Sequence, residues 1–367
     1  MKRKCICIFL IFALLLSGCS WMDGSYVSVT PHREHLSEVQ TDTLSAKDYA
    51  ELRQLMIELT ESGIQSAVIY VTNYDQSQVE KGMESAIRYV CQLLPIGAYA
   101  IERVDYEIGT SAGQPAVSVN ISYLHGRSEL RKIRKAENME EAKTYIQKAL
   151  DNGDSSLVLY VDHYAELDLE QLVRDYGAEN PDRVMEIPQI SVGTYPEKGP
   201  GRVMEIKFAY QTSSEGLRSM QAQVQRVFAS ASLYISQDDA PAQKFAQLFS
   251  FLMERFEYQI ETSITPAYSL LCHGVGDSRT FAMVYATMCR RVGVDCRIVS
   301  GTRNGEAWYW NLICEDGVYY HVDLLESRAA GEFTRLSDDE MSGYVWDYSA
   351  YPAAVRPEEA ATEPAEE

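Results

Sequence analysis

Ala267-Tyr268-Ser269-Leu270-Leu271-Cys272-His273-Gly274-Val275-Gly276-Asp277, continuing into Ser278-Arg279-Thr280-Phe281-Ala282, is the stretch on which the reading of this chain turns. The first part has the small and turn-forming residues of a loop, and residues 278–291 carry apolar side chains at helical spacing. Gly293-Val294-Asp295-Cys296-Arg297-Ile298-Val299-Ser300-Gly301 follows, then two strand-like runs at 307–314 and 318–324 joined by the turn Glu315-Asp316-Gly317. The order is therefore loop, helix, strands.

Three short patterns sit at fixed places in that frame. Ser278-Arg279-Thr280-Phe281-Ala282 opens the helix, Trp308-Tyr309-Trp310-Asn311 lies on the first strand, and Val322-Asp323 ends the second. The frame resembles the transglutaminase-like superfamily, over roughly residues 240–352. Members place a Cys in a C-x-x-Tyr/Phe-Ala pattern at the helix start, a His three residues before an Asn, and an Asp after a Val. The resemblance implies a papain-like α+β domain, and in intact members acyl transfer by a Cys-His-Asp triad, as protease, transamidase or deglycosylase. Here Ser278 stands at the Cys position and Trp308 at the His position, while Asp323 is kept.

Those two replacements have direct chemical consequences. A thiol at a helix N-terminus beside an imidazolium has a lowered pKa and a useful thiolate fraction near neutral pH. A serine hydroxyl does not ionise there and needs a positioned base. An indole N–H only donates, so Trp308 cannot be that base, and Asp323 is left with no imidazole to orient. The domain reads as a pseudoenzyme. Two residues are candidates for a substituted site. Cys272 precedes Ser278 by six residues, next to His273. His321 lies two residues before Asp323, so on a strand both project from one face, about 7 Å apart, and His321 could reach toward Ser278. A cleft lined by Phe281, Trp308, Tyr309 and Trp310 could still bind an extended peptide without cleaving it.

The chain starts with Lys2-Arg3-Lys4, an apolar run at 5–16, and Leu16-Ser17-Gly18-Cys19. This resembles a bacterial lipoprotein signal with Cys19 as the lipid attachment residue. The run is too short for an ordinary spanning helix of about 20 residues. The expected location is extracytoplasmic, anchored to the cell membrane as a lipoprotein, as on a Gram-positive surface.

Composition bounds the remainder. The 367 residues are 46% hydrophobic and 23% charged, which describes a globular chain with a real core. The net charge of −20 argues against nucleic acid and against electrostatic docking on anionic lipid. Cys91, Cys272, Cys289, Cys296 and Cys314 remain beyond Cys19, an odd number without a metal-ligand pattern. No metal, cofactor or disulfide is expected.

Between the anchor and residue 220 the sequence looks duplicated. Ser66-Ala67-Val68-Ile69-Tyr70-Val71 is answered 90 residues later by Ser156-Leu157-Val158-Leu159-Tyr160-Val161, each after an amphipathic run, at 46–61 and 139–151. The runs 117–123 and 203–210 match at an offset of 86 to 87. The predicted unit is helix, strand, helix, strand, strand. Its length of 85 to 90 residues makes it a small module rather than a solenoid turn of about 20–50.

The expected fold class is thus α+β: N-terminal duplicated modules followed by a transglutaminase-like (papain-like) α+β domain. The expected organisation is signal peptide 1–18, tether 19–45, repeats 46–128 and 129–220, transglutaminase-like domain 221–352, and a disordered acidic tail 353–367. The aromatics Tyr344, Trp346, Tyr348 and Tyr351 are expected to cover the site. The functional expectation is a lipid-anchored protein that binds or scaffolds an unknown peptide or protein partner at the cell envelope. One alternative is an active hydrolase or transamidase using a substituted site, and another makes the duplicated modules the working part.

Overall fold

A two-residue strand, β1 (Ser45–Ala46), is the first element among the described residues. The computed structural model describes residues 44–72, 75–260 and 263–356, so the signal, Cys19 and nearly all of the tether lie outside the described residues. Helix α1 (Tyr49–Glu61) follows, started by Asp48, whose side chain accepts the Glu51 N–H and satisfies one of the free donors of the first turn. Then come β2 (Ser66–Val71), α2 (Gln76–Gln92), α3 (Pro95–Ala100), β3 (Ile101–Ser111) and β4 (Gln114–Tyr123). These strands make one sheet in the order β1-β2-β4-β3, with β1 parallel to β2 and the other pairs antiparallel.

The next segment gives β5 (Arg134–Asn138), α4 (Met139–Asn152), β6 (Ser156–His163), α5 (Leu169–Glu179), β7 (Gln189–Tyr195) and β8 (Arg202–Ala209). Its sheet runs β5-β6-β8-β7, again with only the first pair parallel. Both segments start with a short strand that the hydrophobic pattern does not reveal. Alternation accounts for the buried sets: Ile69 and Val71 in β2, and Leu157, Leu159 and Val161 in β6, face their helices. The first unit packs on the open face of the second sheet, where Tyr99 and Ala100 meet Val203 with Ile96, Tyr160 and Tyr195 around them.

Helix α6 (Ser214–Leu233) leads into α7 (Pro241–Met253). The boundary expected after residue 220 falls inside α6, because nothing in that run breaks a helix, and Leu217, Val224 and Phe228 carry it into the C-terminal core. Strands β9 (Glu257–Tyr258) and β10 (Val275–Gly276) pair in parallel and set the entry to α8 (Ser278–Arg291). The last sheet, β11 (Cys296–Arg303), β12 (Glu306–Glu315), β13 (Val318–Val322) and β14 (Tyr344–Trp346), is antiparallel in the order β13-β12-β11-β14. The short helix α9 (Leu324–Ala330) follows β13.

Period-two alternation along β12 divides its side chains between two cores. Ile313 joins the cluster of α7 and α8 with Phe245, Phe281 and Tyr285, while Trp310 and Leu312 join Val299, Met341 and Trp346 on the opposite face. The second cluster contains Ala354, which is 1% exposed, and the Asp338 N–H donates to the Ala354 carbonyl. The expected disordered tail therefore starts too early: residues 353–356 are placed, because a small apolar side chain among Glu and Pro is packed against the sheet, and 357–367 lie outside the described residues. The boundary expected at residue 45 is likewise passed by β1.

Gly301 is where β14 lies closest to β11. A Cβ there would stand 2.2 Å from the Val345 carbonyl oxygen and 2.9 Å from the Trp310 ring. Gly301→Ala should destabilise the fold by about 2 kcal/mol, the usual scale of overpacking, read as a lower urea midpoint with unchanged slope. A wild-type midpoint would show that β14 has room to move away.

Candidate functional site

Helix α8 brings Ser278 to its first position, after Asp277, which accepts the Thr280 N–H at 2.8 Å and the Thr280 hydroxyl at 2.6 Å. Asn311 ties this helix to β12 by donating to the Ala282 carbonyl at 3.0 Å. Ser278 is 7% exposed, and among the described residues its hydroxyl makes no hydrogen bond. Among the described residues no imidazole or carboxylate lies within hydrogen-bond distance of it.

Trp308 and Asp323 are brought together. The indole Nε1–H donates to Asp323 Oδ2 at 2.6 Å, so the carboxylate, though without an imidazole, still holds a ring. Tyr344 donates its hydroxyl to the same oxygen at 2.7 Å. Oδ1 accepts the backbone N–H groups of Leu325 at 2.9 Å and Glu326 at 3.2 Å, capping α9. Asp323 is 2% exposed, so every one of these donors offsets desolvation. Burial, followed by the nearby Asp323 charge, pushes the Tyr344 phenol well above its usual range and keeps it a donor. The Arg303 guanidinium sits 5.2 Å from the Trp308 ring centroid and 5.6 Å from that of Tyr344, paired with Glu326. Tyr258 leans on Trp308 with ring centroids 5.7 Å apart.

His321 faces elsewhere than Ser278. Trp310 Nε1–H donates to His321 Nδ1 at 2.9 Å, and Nε2 lies 2.9 Å from Asp338 Oδ1. An accepting Nδ1 fixes the neutral tautomer with its proton on Nε2, directed at Asp338. Burial lowers the His321 pKa below its ordinary 6.5, opposed by the hydrogen bond and charge of Asp338. Both ring nitrogens are engaged, which leaves no lone pair for a serine.

Cys272 is exposed in the turn at residues 269–273, and partial burial of its thiol raises the pKa, the opposite of thiolate activation. Its neighbour His273 packs edge-on against Tyr268 at 5.0 Å. The groove expected from Phe281, Trp308, Tyr309 and Trp310 needs correction as well. Phe281 and Trp310 are each 1% exposed and belong to the two cores, because helix and strand periodicity turn them inward. Trp308 and Tyr309 stay partly accessible on opposite faces of β12, and Arg279 lies 5.7 Å from the Tyr309 ring. Of the closing aromatics, Tyr344 reaches Asp323 and Trp346 packs on Trp310 and His321, while Tyr348 is 59% exposed. Arg303 and Asp338 carry no motif, and only their neighbours in space reveal them.

Residues 229–350 match the family model of the transglutaminase-like superfamily, so this part of the chain is a transglutaminase-like domain. No curated protein matches the chain. Solved structures similar to it include a TGase, 10% identical with a TM-score of 0.26 over 76% of this chain and 77% of that one. A candidate cysteine protease from Cytophaga hutchinsonii is 11% identical, TM-score 0.25, covering 43% of this chain and 70% of its own. A candidate protease from Parabacteroides distasonis is 8% identical, TM-score 0.23, and the match spans 70% of this chain but 39% of that protein.

Trp308→Phe keeps the ring and deletes the donor, and should cost about 1–3 kcal/mol by leaving a buried carboxylate short of a partner; chemical denaturation against Trp308→His would check it. His321 gives the pH dependence. Its folded pKa lies below the unfolded 6.5, so the unfolded chain binds more protons between the two values. The contribution is complete above about 6.5 and is lost as pH falls toward the lowered value. The urea midpoint should drop between pH 7.5 and pH 5.5, and His321→Gln should shrink that drop.

Proposed function

We propose that this chain is an extracytoplasmic protein, lipid-anchored through Cys19, whose transglutaminase-like domain no longer performs acyl transfer and instead binds or scaffolds a peptide or protein at the cell envelope. The observation that carries the reading is the Trp308 N–H on Asp323. The residue that should polarise the nucleophile is a pure donor, locked by the carboxylate that would have oriented a base. Ser278 without a proton acceptor and His321 with both nitrogens engaged support the same conclusion. Two accessible spots remain around these positions, one on each face of β12: Tyr258, 39% exposed, beside Trp308, and Arg279 beside Tyr309. The first suits an aromatic side chain and the second an aromatic or acidic one on a peptide or protein partner.

We also propose that residues 45–123 and 134–209 are two copies of one module. The common strand order, the parallel first pair and the sequence offset support this.

The test is chemical reactivity of the full chain near neutral pH. A serine-directed fluorophosphonate should leave Ser278 unlabelled, and Cys272 should alkylate at the rate of a model thiol. The double variant Ser278→Cys with Trp308→His should alkylate at position 278 at least about tenfold faster than Ser278→Cys alone, since Asp323 then has an imidazole to orient. Fast labelling of Ser278 or Cys272 in the unmodified chain would sink the reading and identify a working nucleophile.

A further inference from the structure

The densest run of cations in this acidic chain lies far in sequence from the transglutaminase-like domain. Arg127-Ser128-Glu129-Leu130-Arg131-Lys132-Ile133-Arg134-Lys135 has five basic residues and one acid, in a chain whose net charge is −20. It connects the first sheet to the second: residues 127–130 form a single helical turn and Arg134 begins β5, an edge strand of the second sheet. All five cations are exposed. Among the described residues none has a carboxylate within ion-pair distance, and Glu129 is already engaged by His125, 3.7 Å away, and by the Gly126 N–H.

The neighbouring residues extend the surface. Arg134 lies 5.7 Å and Lys148 5.8 Å from the Tyr145 ring, and Lys135 lies 5.8 Å from that of Tyr160, so tyrosine faces rather than acids support three of the cations. Leu124, three residues before the run, is 63% exposed although its N–H is fixed to the Ala100 carbonyl. Lysine and arginine on an edge strand discourage pairing with another chain. That accounts for Arg134 and Lys135 and leaves Arg127, Arg131 and Lys132, which are off the strand, without a purpose.

We infer that this segment is a membrane-docking surface: the cations take the phosphate headgroups of an anionic phospholipid leaflet, with Leu124 at the headgroup level. The whole-chain charge predicts the opposite, but charges are screened beyond about 8 Å in physiological salt, so a surface feels the cations nearest to it. Clusters of four to eight basic residues are the pattern that anionic bilayers recognise. Basic attraction is also the usual second contribution beside a single lipid anchor. The inference rests on the anchored reading above, and it assigns the first module as the part that lies on the bilayer.

The full chain, reconstituted in vesicles of pure phosphatidylcholine or of phosphatidylcholine with about one third phosphatidylglycerol, would be digested briefly with trypsin, and cuts after residues 131–135 compared with the cut after Lys198. In the anionic vesicles the 131–135 cuts should be at least about tenfold slower, as headgroup attraction to several cations implies. The Lys198 cut should not change, and 0.5 M salt should restore the rates. Equal rates in both lipids would overturn the docking surface. Flotation with neutral vesicles, lost on Cys19→Ala, reports the anchor separately. If that fails while protection by anionic lipid persists, the docking surface stands and the anchor does not.

Discussion

The Asp323 carboxylate, 2% exposed, receives the Trp308 indole N–H, the Tyr344 hydroxyl and two backbone N–H groups of α9. An ionised group at that depth is tolerated only if its lone pairs are filled, since an unpaired buried charge costs several kcal/mol. Filling them constrains β12, β14 and α9 at once. The position of β14 on β11, the closeness of Gly301 to Val345 and the seating of Arg303 between two aromatic rings all follow from a carboxylate that must be covered. The Trp308 indole fits this arrangement because it presents an N–H to the acid.

A second indole repeats the device one step along the strand. Trp310 donates to His321 as Trp308 donates to Asp323, so two donors two residues apart on β12 meet two acceptors two residues apart at the end of β13. His321 then passes the constraint outward. Its Nε2 meets Asp338, whose Oδ1 also accepts the Ala354 N–H, and its backbone exchanges hydrogen bonds with Leu336. The chain from 336 to 354 is thereby held over a face made of Val299, Trp310 and Trp346. Helix α8 covers the other face, and its far end is fixed by Arg290 on the Glu179 carbonyl at the end of α5, and by Arg291 on Asp182 and on Gln225 of α6.

How much of this the sequence discloses depends on the kind of signal. Helix α8 and the two strands after it are legible from periodicity and turn residues, and the Ser, Trp and Asp positions come from the family resemblance along them. The strands β1 and β5 are not legible, because a two-residue strand and the charged run Arg-Lys-Ala-Glu-Asn leave no apolar alternation to count. Phe281 and Trp310 look like groove residues when aromatic content is counted, and become core residues once the face each occupies is known. Arg303 and Asp338 join the site across separations that no local pattern encodes, whereas Tyr344 is among the aromatics that the sequence places over it. The tail is the same lesson in reverse: Glu and Pro dominate its composition, yet Ala354 is decided by the cavity it fills.

The two indole pairs differ in one respect that matters for behaviour in solution. A triad imidazole changes protonation in the course of its chemistry, and so the acid beside it experiences a changing charge. Trp308 does not titrate, so the partner of Asp323 is the same at any pH at which the protein folds. His321 does titrate, and when it does, the added proton on Nδ1 points at the Trp310 N–H that it had been accepting. His321 is thus a proton-sensitive group that holds the closing segment 336–354, and its protonation bears on the packing of that segment.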